Sequence, residues 1–87
     1  MKMKQTTQVL AIMIQEEKEY TRKDIVEGTI LTLKQVSNTL KFLIDCNLIK
    51  VKYIKTQTRP YRRALYYLNS EKYENIIKLV SREIDIL

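Results

Sequence analysis

The apolar positions of this chain change period twice, from helical spacing to strict alternation and back, and that order limits the folds open to it. From Thr6 to about Lys18, Val9, Ile12 and Met13 recur at helical spacing, with Leu10 and Ile14 widening the stripe. "EYT", Glu19 to Thr21, reads as a very short strand. Thr21 then stands where an N-cap belongs, with Asp24 at the third helical position and Ile25 and Val26 ahead of Gly28, so a short second helix is predicted. Thr32 opens a third helix, "LKQVSNTLKFLIDCN", whose inward stripe is Leu33, Val36, Leu40, Leu43 and Ile44 and which runs to about Cys46. Asn47 follows where a left-handed C-cap would be, Asn being the usual alternative to Gly there.

In "LIKVKYI" the period becomes two, with Ile49, Val51 and Tyr53 on one face against Lys50, Lys52 and Ile54 on the other. "KTQTRPYRR" lacks that alternation and carries Pro60, so it reads as a loop. "ALYYLN" returns as a second strand with Tyr66 and Leu68 on one face. Ser70 is placed to cap a last helix, Glu71 to Ile86, striped by Tyr73, Ile76, Ile77, Val80, Ile84 and Leu87. The order is helix, short strand, helix, helix, hairpin, helix. The fold class expected is α+β, mainly α: a winged helix-turn-helix with an additional C-terminal helix. Residues 1–69 make the winged unit and residues 70–87 the added helix, within one domain, since 87 residues support only one core.

Charge is distributed unevenly over these elements. The net charge is +6, but residues 1–28 carry five Lys/Arg against five Asp/Glu, and residues 64–87 carry three against four. Residues 29–63 hold eight against one, so the whole excess lies on the third helix and the hairpin. A polyanionic partner is implied, because a charge kept only for solubility would be of mixed sign, and no acid occurs from Cys46 through Ser70.

Other classes are disfavoured. The chain has no His and one Cys, which leaves no thiolate or imidazole metal site, and no metal or cofactor is expected. With no Gly-rich phosphate loop and no carboxylates converging from distant segments, it does not read as an enzyme. The longest strongly apolar run, "VLAIMI", is far shorter than the roughly 20 residues that cross a bilayer, so a soluble, cytoplasmic protein without a membrane partner is expected. Cys46, near a helix C-terminus whose dipole does not favour a thiolate, reads as a small buried hydrophobe rather than a redox sensor.

Ile25 and Val26 in the second helix, Thr32, Val36, Leu40 and Leu43 in the third, "NLI" at 47–49 and "RRALYYLN" at 62–69 together resemble winged-helix regulators of the MarR, PadR and ArsR type. The resemblance covers roughly Thr6 to Leu68. Two features depart from the usual pattern: Gly28 stands four residues before Thr32, and "RPYRR" lacks the Asp that commonly precedes the paired arginines. The resemblance implies that the third helix enters the major groove of double-stranded DNA and that the hairpin, the wing, lies along the flanking backbone or minor groove.

On that basis Lys50, Lys52, Lys55, Arg59, Arg62 and Arg63 are the candidates for phosphate and minor-groove contact, with Arg59 or Arg62 at the wing tip. On the third helix the candidates are Thr32, Lys34, Gln35, Ser37, Asn38 and Lys41, with Thr39 a smaller one. Gln35 and Asn38 are the main specificity candidates, because their amides pair bidentately with adenine. Among the tyrosines, 53, 66, 67 and 73 read as half-buried core and Tyr61 as the exception able to stack on bases. The last helix, with the first, is expected to form a homodimer interface through Tyr73, Ile76, Ile77, Val80, Ile84 and Leu87. The function expected is a sequence-specific transcriptional regulator, a repressor on an inverted-repeat operator. The alternatives are an architectural, partition or replication accessory protein with weak sequence preference, and a winged-helix protein interaction module.

Overall fold

A computed structural model of the chain describes residues 4–59 and 61–86. In chain order its elements are α1 (Gln5–Gln15), α2 (Arg22–Gly28), α3 (Leu33–Asp45), β1 (Ile49–Lys55), β2 (Arg62–Leu68), a 3-10 turn (Ser70–Lys72) and α4 (Tyr73–Ile86). This is the winged helix-turn-helix with an added C-terminal helix.

The helix-turn-helix is fixed by two reciprocal caps. Thr21 Oγ1 accepts from the Asp24 backbone N–H at 3.1 Å while Asp24 Oδ2 accepts from the Thr21 N–H at 2.9 Å. Thr32 and Gln35 repeat the arrangement at the start of α3, at 3.2 and 2.9 Å. Each cap satisfies two N–H groups that the helix itself leaves unpaired, and is worth about 1 kcal/mol. The bond from the Thr21 backbone, more than any other influence, holds the Asp24 carboxyl below the usual carboxylate range. At Gly28 a side chain would press into Ile12, since a Cβ there falls 2.7 Å from Ile12 Cδ1. Ile12 Cδ1 is the far end of a flexible side chain that can move aside, and the φ of Gly28 is not positive, so neither packing nor backbone angle demands a glycine here.

The core gathers Val9, Leu10 and Met13 of α1, Ile25 of α2, Val36, Leu40 and Leu43 of α3, Ile49 of β1, and Ile76 and Val80 of α4. Fully burying a side chain of this kind contributes roughly 1.5–3 kcal/mol, so four helices and the root of the hairpin are held by one cluster. The sheet is a single antiparallel pair running from Ile49 opposite Leu68 to Lys55 opposite Arg62. Tyr20 joins it through two backbone bonds with Tyr66, at 2.8 and 2.7 Å.

Several expectations need correction. α1 ends at Gln15, not near Lys18, because Glu16 turns to an extended conformation and the Tyr20 hydroxyl takes up the carbonyls of Ile12 and Glu16. Leu33 is 58% exposed and lies outside the stripe at the first turn of α3, before the helix meets the core. Arg62 and Arg63 belong to β2 and not to the loop, since the ladder continues past the apolar residues to pair them with Lys55 and Ile54. Cys46 is exposed, as the C-cap of α3.

The last helix is not capped by Ser70. Asn69, only 1% exposed, accepts from the Glu71 N–H through Oδ1 at 3.2 Å. Its Nδ2 donates to the Asn47 carbonyl at 2.8 Å, and its own N–H donates to Leu48 at 3.0 Å. Asn47 has the left-handed conformation expected of it, with φ of 64°. One buried amide thus ties the end of α3 to the start of α4. Asn69→Ala removes a cap and a buried bond together and should lower stability by about 2 kcal/mol. For a domain of this size that is a fall in melting temperature of roughly 10 °C, read by circular dichroism; an unchanged midpoint would mean that water replaces both bonds.

Candidate nucleic-acid interface

α3 presents Lys34, Asn38 and Lys41 to solvent on the side opposite Val36, Leu40 and Leu43. Ser37 is half-buried beside α2, where Arg22 Nη1 approaches its Oγ at 3.5 Å. Thr32 and Gln35 are engaged in the cap, so the Gln35 carbonyl oxygen already has a backbone partner, while its NH2 group has no bond to the rest of the helix. Thr39 does not face outward: it is buried, and its hydroxyl donates to Gln5 Oε1 at 3.2 Å, joining α3 to α1.

The hairpin carries the other cationic candidates. Arg59 is exposed at the tip, where Thr56 N–H donates to the Tyr61 carbonyl at 2.9 Å and the Thr56 hydroxyl to the Thr58 carbonyl at 2.7 Å. Arg62 stands one step back, at the end of β2, with its guanidinium 4.9 Å from the centre of the Tyr53 ring. The two lie on one face of the ladder as diagonal neighbours, which limits the rotamers of Arg62 while leaving its charge in water. Arg63, on the other face, is near enough to α2 to help lower the Asp24 carboxyl. Lys50 and Lys55 are exposed. Lys52 is exposed too, but it is ion-paired with Glu19, so part of its charge is balanced within the chain. Tyr53, expected to be half-buried, is exposed along with Tyr61; Tyr66, Tyr67 and Tyr73 are half-buried.

The sequence reading missed Arg22 and Lys23. Both are exposed in the first turn of α2, a position where the helix dipole disfavours cations. That disfavoured placement was the signal available: two cations that do not help their own helix, of which Arg22 reaches Ser37 of α3.

Two of the residues expected at a dimer interface are used otherwise. Ile76 and Val80 are buried in the chain's own core, because α4 packs on α1. Tyr73 and Ile77 are half-buried, and the Ile84 side chain and Leu87 lie outside the described residues. The exposed apolar side chains nearby are Leu79 and Phe42, which flank Cys46 and Leu48 between α3 and α4. Among the described residues no three metal-ligating side chains come together, and no helix is long and apolar enough to cross a membrane.

No protein-family model matches the chain, and no curated protein sequence matches it. Among solved structures it is similar to a PadR family transcription regulator from Clostridium difficile, with a TM-score of 0.71 over 92% of this chain and 88% of that one, at 24% identity. At that identity the likeness shows a shared fold.

Proposed function

We propose that this protein is a site-specific double-stranded-DNA-binding transcriptional regulator, a homodimer that represses by occupying an inverted-repeat operator. The observation that carries the reading is the surface charge. Lys34, Lys41, Lys50, Lys55, Arg59, Arg62 and Arg63 are all exposed on the helix and hairpin that a winged fold offers to DNA, with one acid, Asp45, between residues 29 and 63. The likeness in fold to a structure described as a transcription regulator supports the same reading. In it, Asn38 and Lys34 meet base edges, the wing arginines meet phosphate or the minor groove, and Arg22 and Lys23 add phosphate contacts. α4 serves as dimerisation element with a face centred on Leu79 and joined by Phe42, adjacent to the face that Ile76 and Val80 bury in the core. A two-fold pair would set two copies of α3 about 34 Å apart along one side of the duplex.

The test is selection of random-sequence duplexes by the purified protein at near-physiological salt. An inverted repeat with half-sites about one helical turn apart is expected, and the pool recovered by Asn38→Ala should lose base preference at one position in each half-site. Retention without an enriched motif would favour the architectural alternative. No retention would overturn the reading.

A further inference from the structure

Ile30 and Leu33 have no role in folding that would account for them. Ile30, in the turn between α2 and α3, is 82% exposed, the highest value of any large apolar side chain among the described residues, and Leu33 is 58% exposed. The caps on either side are made by Thr29, Thr32 and Gln35. Leu33 is the first residue of α3, a position where Pro or an acid would serve the helix better than leucine. Leaving both in water gains nothing from burial.

Their surroundings identify an occupant. No acid occurs from Gly28 through Ile44; Lys34 directly follows Leu33, and Asn38 and Lys41 stand about one and two turns further along α3. An apolar pair in a cationic, amide-bearing setting at the leading end of a groove-reading helix matches one feature of duplex DNA, the thymine 5-methyl group. That methyl projects into the major groove, and the adenine paired with it offers the edge that an Asn amide reads. We propose that Ile30 and Leu33 are specificity-determining residues that select thymine by contact with its 5-methyl group. The inference rests on the DNA-binding reading above and deepens it.

The test takes the duplex recovered most abundantly in the selection and a copy in which deoxyuridine replaces every thymidine, which removes the methyl groups and keeps every hydrogen-bonding group. The wild-type protein should bind the uracil copy about fourfold more weakly for each methyl contacted, as expected from burying one carbon. Ile30→Ala with Leu33→Ala, a variant whose two sites are exposed, should bind both duplexes equally while keeping the wild-type melting temperature. Equal binding of the two duplexes by the wild type would overturn the inference and leave the DNA-binding reading intact. Undiminished discrimination by the variant, or a selected site without thymine, would also overturn it. Failure to retain any duplex would overturn the DNA-binding reading itself, and this inference with it.

Discussion

Arg62→Ala combined with Arg63→Ala should weaken binding to every duplex, specific or random, by about two to three orders of magnitude at roughly 0.15 M salt, and should make the salt dependence shallower. The two arginines stand on opposite faces of the hairpin, Arg62 steadied on Tyr53 and Arg63 close enough to Asp24 of α2 to help lower its carboxyl. If each meets one phosphate in each protomer of a dimer, four contacts are lost, and the slope of log K against log salt falls by about 3.6. The fold should barely respond, since an exposed cation–π pair contributes about 0.5–1 kcal/mol. Titration of a fluorescent duplex at several salt concentrations measures both quantities. A loss confined to one sequence would place the arginines at base edges, and an unchanged slope would remove the wing from the interface.

The second large effect concerns stability. Tyr20 is 4% exposed, and its hydroxyl shares its hydrogen between the carbonyls of Glu16 at 2.6 Å and Ile12 at 3.1 Å, which α1 leaves without helical partners. Its backbone meanwhile pairs with Tyr66, so one residue ends the first helix and anchors the root of the wing. Tyr20→Phe should lower stability by about 1–2 kcal/mol through the unsatisfied carbonyls, and Tyr20→Ala by about 3–5 kcal/mol through the lost ring. Against a total of roughly 4–13 kcal/mol for a domain of this length, the alanine variant should lose from about a quarter to all of its stability. Urea denaturation of the three proteins gives the order directly. A phenylalanine variant as stable as the wild type would mean that water satisfies the helix end.

The order of elements was legible because each depends on local chemistry. The change of period at Ile49, the Thr21 and Thr32 caps and the left-handed Asn47 are all matters of residues a few positions apart. What was not legible depends on distant partners. Nothing near Gln15 marks the end of α1, since the group that ends it is the Tyr20 hydroxyl. Thr39 looks like any surface threonine until Gln5 is found beside it, and Leu33 fits a core stripe until the stripe is seen to start one turn later. Pairing of Lys52 with Glu19 likewise needs the ladder to bring together residues 33 apart in the chain. The same limit applied to the last helix, where periodicity gave the apolar face but not how much of it α1 would cover.

The hairpin has one further property, which follows from its having only two full strands. Tyr20 occupies the outer side of β2, whereas among the described residues no strand pairs with the far side of β1. An unpaired strand of that length is a template on which a second molecule could add its own and begin an aggregate. β1 carries Lys50, Lys52 and Lys55 along its seven residues, and two such strands brought side by side would repel. The lysines proposed for phosphate contact would thus also keep free molecules from joining through their wings, and a variant stripped of them should lose solubility as well as affinity.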